Sequence, residues 1–134
     1  MRILYVANVD IHNTSSYGII RKIFGQINAF QKMNYAVDLS IRYRGRHYLI
    51  RCDQDTVVEY GSSIRDNFLN TIAKKDALST LQDNAAVRDY RLVYIRFVAL
   101  NLSTFIFIKR MKSIGCKALL EIPTYPYLHE RYTK

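Results

Sequence analysis

The sequence predicts the α/β class: a doubly wound, mostly parallel sheet with an antiparallel hairpin added to it. Three observations carry that prediction. The runs RILYVA, LVYIRF and KALLEIP, starting at Arg2, Leu92 and Lys117, are apolar on both parities of the strand period, as strands covered on both faces are. In the segments between strands, apolar residues recur every third or fourth position, the spacing of helices that lay one face on a sheet. The stretch AVDLSIRYRGRHYLIRC alternates polar and apolar residues around Gly45, which is the pattern of a hairpin.

Taken in chain order, RILYVA is the first and central strand. The loop NVDIHNTSSYG follows and places Ser15, Ser16 and Gly18 just before a helix. Ile20, Ile23, Phe24, Ile27 and Phe30 give that helix one apolar face over residues 19–33, with Asn34 as the predicted stop. Strand, loop and helix in this order open a Rossmann-like domain. In the hairpin, Val37, Leu39, Ile41 and Tyr43 alternate with Asp38, Ser40, Arg42 and Arg44, and Tyr48 and Ile50 continue the return strand. TVVEYG, from Thr56, is a further short strand. Residues 62–84 read as a helix through Ile64, Phe68, Ile72, Leu78 and Leu81, with an irregularity near Lys75. After the strand LVYIRF, residues 103–114 form a helix with basic last turns, stopped by Gly115. KALLEIP is a third buried strand, closed by Pro123. An α/β unit ordinarily covers such a strand with a following helix.

At 134 residues, 49% of them hydrophobic and 23% charged, the chain is long enough for one globular domain. No apolar run approaches the roughly 20 residues of a membrane-spanning helix, and residues 3–7 are too short for a signal-peptide core, so a cytoplasmic location is expected. Cys52 and Cys116 lie far apart without metal-ligand spacing and read as reduced structural thiols. Twenty Lys and Arg against eleven Asp and Glu leave +9, which suits an anionic partner or a solvated basic face. Two clusters hold much of that charge: Arg42, Arg44, Arg46 and Arg51, and Lys109, Arg110, Lys112 and Lys117.

Open α/β sheets bind ligands beyond the carboxyl ends of their strands. That rule selects Asn8, Asp10 and the loop 14–18 after the first strand, Arg96 after LVYIRF, and residues 121–127 after the last. Gly18 at a helix start suits either an ordinary helix opening or close approach of a sugar or phosphate to backbone N–H groups. Neither GxGxxG nor GxxxxGK[ST] is present, so no cofactor motif is read. Arg96 and Glu121, charges at the ends of apolar strands, either pair with each other or reach a substrate. His129 is a candidate general base, although a histidine five residues from the end is commonly exposed and inert. In the hairpin, alternation sends tyrosines and arginines to opposite faces, which argues against base stacking and so against a nucleic-acid partner.

MRILYVANVD, the loop ending in Gly18, the helix and strand RKIFGQINAFQKMNYAVDLS, LVYIRF and above all KALLEIPTYPYLHE resemble the amino-terminal half of a bacterial GT-B glycosyltransferase of the retaining family 4, of the kind that builds capsular and extracellular polysaccharide. The resemblance implies that residues 1–134 are the acceptor-side, Rossmann-like domain, with the donor-binding carboxyl-terminal domain outside them and no transfer by these residues alone. It implies transfer from a nucleotide-sugar, as co-substrate and without a metal or other cofactor, to a glycan or lipid-pyrophosphate-linked acceptor. Glu121 and Thr124 are then the catalytic candidates, and Asn8, Tyr17, Gly18, Arg96, Tyr125 and His129 the acceptor-binding ones. A peripheral position on an anionic inner membrane face fits the basic clusters. Where many members carry a histidine at the end of the strand matching KALLEIP, this chain has Ile122-Pro123-Thr124, and only Gly18 matches the usual double glycine of the first loop. The competing reading is a freestanding module that binds a phosphorylated ligand or nucleic acid without catalysis.

Overall fold

Six strands of one sheet follow the order β4-β3-β2-β1-β5-β6 among the residues that the computed structural model describes, which are 1–13, 15, 17–62, 90–96 and 102–122. In chain order the elements are β1 (Arg2–Asp10), α1 (Tyr17–Lys32), β2 (Ala36–Tyr43), β3 (Arg46–Arg51), β4 (Thr56–Ser62), β5 (Tyr90–Arg96), α2 (Leu102–Ser113) and β6 (Lys117–Glu121). β1 is parallel to β2 on one side and to β5 on the other, and β6 is parallel to β5. β3 and β4 add to β2 as an antiparallel meander. The expected α/β class, the mostly parallel sheet and the hairpin are all present. Of the helix expected over 62–84, Ser62 ends β4 and the remainder lies outside the described residues.

The apolar runs are explained by what covers each face. On one side of the sheet Ile3, Tyr5, Ala7, Val37, Leu39 and Ile41 pack under Ile23 and Ile27 of α1. On the other, Leu4, Val6, Val93 and Ile95 pack under Phe107 and Met111 of α2. Each such side chain taken fully out of water contributes about 2 kcal/mol, and β1, covered twice, is the centre of both clusters. β6 departs from expectation. Among the described residues it is an edge strand with Lys117, Ala118 and Leu119 exposed, rather than a third buried strand. Aliphatic composition reports that a segment favours the extended backbone, but α1 and α2 lie over the inner strands, and burial depends on that placement.

Both helices end on a residue in the left-handed region. At the end of α1, Asn34 has φ 64°, its N–H bonds to the Gln31 carbonyl and that of Tyr35 to Phe30. At the end of α2, Gly115 has φ 85°, its N–H bonds to Lys112 and that of Cys116 to Met111. These are Schellman closures, in which Tyr35 and Cys116 carry the chain directly toward the next strand. Arg44 (φ 48°) and Gly45 (φ 74°) form the two-residue hairpin turn between the paired Tyr43 and Arg46.

Asp10 holds that turn from the end of β1. Its carboxylate accepts the backbone N–H groups of His12 (2.9 Å), Gly45 (3.1 Å) and Arg44 (3.2 Å). Burial pushes the Asp10 carboxyl up, but those three donors outweigh it and hold the group below its ordinary value. A carboxyl depressed in the folded state stabilises above its unfolded pKa and loses that contribution as pH falls through the folded pKa. Asp10→Ala is accordingly expected to lower stability by about 1 kcal/mol at neutral pH. The deficit should shrink as pH falls through the depressed folded-state pKa, read by urea unfolding at a series of pH values.

At the amino end of the sheet, a buried carboxylate is held by side chains from β1 and β5. Asp38 on β2 is wholly buried, and it accepts a hydrogen bond from the Arg2 guanidinium (2.8 Å) and another from the Tyr90 hydroxyl. Arg2 also reaches Asp53 at 3.2 Å. Charge pairing makes this position tolerable for a carboxylate in an otherwise apolar strand.

Candidate functional site

From β1 the chain passes through α1 to β2, while β5 lies against the other side of β1. The strand order therefore reverses at the β1/β5 boundary, and the crevice beyond their carboxyl ends is the topological switch point. Register brings Ala7, Arg96 and Glu121 into one row across β1, β5 and β6 on the α1 side. Two residues earlier in the same register, and so on the same face, Tyr5 and Tyr94 stack with ring centroids 4.8 Å apart, and Phe30 of α1 meets Tyr94 edge-on.

Glu121 is the focus of this row. Its Oε2 accepts hydrogen bonds from the Tyr94 hydroxyl (2.7 Å) and from Nε2 of Gln26 (3.3 Å). Its Oε1 lies 3.4 Å from both Arg96 and Lys22. Gln26 also accepts the Tyr5 hydroxyl proton and donates to Tyr94. Lys22 and Gln26 stand four residues apart on α1, so one helical face carries both to the same carboxylate.

The electrostatics assign states to these groups. Burial pushes Tyr5 and Tyr94 up to about 12, so both keep their protons and donate at neutral pH. Burial also pushes Glu121 up, but Tyr94, Gln26, Arg96 and Lys22 together hold it below its ordinary value. The carboxylate is thus ionised and acts as an acceptor rather than a proton donor. Two cations face this one carboxylate at distances longer than the 2.7–2.9 Å of a tight charge-assisted bond. Arg96 Nη1 is buried and makes no hydrogen bond, while the Lys22 side chain is 57% exposed. The arrangement can offer an acceptor to sugar hydroxyls and a cation to a phosphate in the same crevice.

Among the sequence-selected residues, the structure brings together Glu121 and Arg96, which pair with each other. Tyr17 and Gly18 form the first turn of α1, about 6 Å along the helix axis from Lys22, with Tyr17 exposed. Asn8 lies in β1 near its carboxyl end, with its side chain outside the described residues. Thr124, Tyr125 and His129 also lie outside them. Asp10 holds the hairpin turn, and Tyr43, expected to pack inward, sits beside His12 and Arg44 at the hairpin tip, 38% exposed. Among the described residues, no group of three His, Cys, Asp or Glu side chains is placed to hold a metal. Cys52 and Cys116 are free thiols, both pushed up by burial.

Sequence reading missed Lys22, Gln26, Tyr5 and Tyr94. One signal was available: Lys22 and Gln26 are long polar residues interrupting the apolar face of α1, beside Ile23 and Ile27.

A Cβ built on Gly18 meets no atom within 4 Å, and Gly18 has no positive φ, so the fold itself does not demand glycine there. Gly18→Ala is expected to leave the melting temperature unchanged or slightly raised, since alanine favours helix by up to about 1 kcal/mol. If a ligand approaches this backbone, the same substitution weakens its binding at least tenfold; unchanged affinity assigns Gly18 to the helix start alone.

A cavity of about 910 Å³ opens at the opposite, amino edge of the sheet, with Arg2, Arg91 and Lys117 in its lining. It is separate from the switch point. No protein-family model, curated protein or solved structure matches this chain.

Proposed function

We propose that this domain is the acceptor-side half of a GT-B-type sugar transferase, in which the switch-point crevice receives the acceptor and an adjoining domain supplies the nucleotide-sugar. The observation that carries the reading is the ionised, firmly held Glu121 at the carboxyl ends of β5 and β6, with Lys22 and Arg96 beside it. A fixed carboxylate suits sugar hydroxyls, which donate hydrogen bonds, and it stabilises positive charge that develops at the donor carbon. Lys22 and Arg96 suit a phosphate, whether on a lipid-pyrophosphate-linked glycan or on the departing nucleotide. In this role Glu121 accepts hydrogen bonds and contributes electrostatic stabilisation, while Arg96 and the first turn of α1 position the acceptor. Surface polysaccharide synthesis at the inner membrane face is the setting that the resemblance implies.

The second reading, a module that binds a phosphorylated ligand without catalysis, draws on the same two cations. The test uses the complete reading frame that holds these residues. With a panel of uridine- and guanosine-diphosphate sugars and a lipid-linked glycan acceptor, nucleoside diphosphate release dependent on the acceptor is expected. Binding of a phosphorylated acceptor with no release from any donor supports the module instead.

A further inference from the structure

We infer that the open cavity at the amino end of the sheet is a second ligand site, one that takes a small phosphate monoester with an apolar body. β1, β2, β5 and β6 are parallel, so all four begin at this end, and the cavity of about 910 Å³ lies across their starts. Arg2, Arg91 and Lys117 give it a charged lining, and Met1, Ala36 and Leu92 an apolar one. Among the described lining residues every charged side chain is a cation. Lys117 opens β6 and Glu121 closes it, so about 13 Å of strand separates this cavity from the switch point.

The three cations have different parts. Asp38 at 2.8 Å and Asp53 at 3.2 Å hold the Arg2 guanidinium, which makes it a fixed wall whose charge is balanced within the protein. Attraction for an anion therefore falls to Arg91 and Lys117, both exposed. Register sets Lys117 opposite Leu92, the residue after Arg91, so the two cations stand at neighbouring positions on adjacent strands. A planar guanidinium fork beside a lysine point charge suits a phosphate, whose two charges match the two cations.

α2 also ends at this cavity, with Gly115 in the lining, and open helix carbonyls there would repel an anion. Those carbonyls are occupied. Gly115 and Cys116 donate their N–H groups to Lys112 and Met111, and the Ile114 N–H and Ser113 hydroxyl both donate to Arg110. What remains of the helix dipole is at most about half a negative charge against two full positive ones. The volume, within the range of small-molecule sites, exceeds what a bare phosphate fills, and the apolar lining is where an organic body would lie. This site owes nothing to sugar transfer.

The test is calorimetric titration of the full 134-residue chain with phenyl phosphate and, separately, with inorganic phosphate. Phenyl phosphate is expected to bind about tenfold tighter, because its ring covers apolar lining, and to weaken with added salt. Arg91→Ser and Lys117→Ser should each lower its affinity about tenfold, and Lys117→Glu should lower it further. Lys22→Ser, at the switch point, should leave it unchanged. Lys117 is exposed on β6, so its variants should melt with the parent and decide the matter even where Arg91→Ser lowers stability. Parental affinity in both Lys117 variants overturns the inference. So does loss of binding in Lys22→Ser alone, which would put the phosphate at the switch point. Phenyl phosphate that binds no tighter than inorganic phosphate, or not at all, overturns it as well.

Discussion

Arg2→Ala is expected to cost the folded state about 3 kcal/mol, the cost of breaking a buried ion pair. Asp38 has no access to water, so losing the guanidinium at 2.8 Å leaves the carboxylate with the Tyr90 hydroxyl as its nearest substitute among the contacts described above. The control is Asp53→Ala, which removes only the partly exposed arm of the same arginine and should cost less than about 1 kcal/mol. Urea unfolding decides it, through a lower midpoint with unchanged slope. A loss under about 1 kcal/mol for Arg2→Ala would mean that the carboxylate is satisfied without it.

On the proposed reading, Glu121→Gln is expected to lower acceptor-dependent sugar transfer about a hundredfold while changing stability by less than about 1 kcal/mol. Glutamine keeps the size and can still accept from Tyr94, but it removes the charge that Arg96 and Lys22 face. Glu121→Leu removes both charge and acceptor, leaving Arg96, only 13% exposed, without its carboxylate, and should cost about 2–3 kcal/mol. Pairing it with Arg96→Met should recover most of that loss, because two apolar side chains leave no buried charge behind. A Glu121→Gln enzyme with parental turnover would reduce the carboxylate to a structural partner of Arg96. The pH dependence separates the roles further. Since Glu121 is held below its ordinary value, its contribution is complete above about pH 5 and fades only in acid, so activity should show no Glu121-linked rise between pH 5 and 8.

Much of the fold was legible because local chemistry and tertiary structure agree. β1 reads as apolar on both parities because α1 and α2 cover its two faces. Asn34, Gly45 and Gly115 were readable as stops and turns because each residue type tolerates a left-handed backbone, which is where all three sit. Glu121 and Arg96 were legible as candidates because charges at the ends of apolar strands are uncommon. Their mutual pairing was not, since it depends on β5 and β6 lying in register.

The sequence by itself determined the α/β class, the hairpin, the helix ends and the carboxyl-end residues that merit a functional role, because strand and helix periods and backbone tolerance are properties of neighbouring residues. Tertiary structure alone decided the rest. It placed β6 at an edge, gave Asp10 to the hairpin turn, brought Lys22 and Gln26 of α1 to Glu121, and buried Asp38 beside Arg2 and Tyr90. Each of these depends on residues from 25 to 99 positions apart meeting across strands or between layers, and neither periodicity nor composition carries distances of that kind.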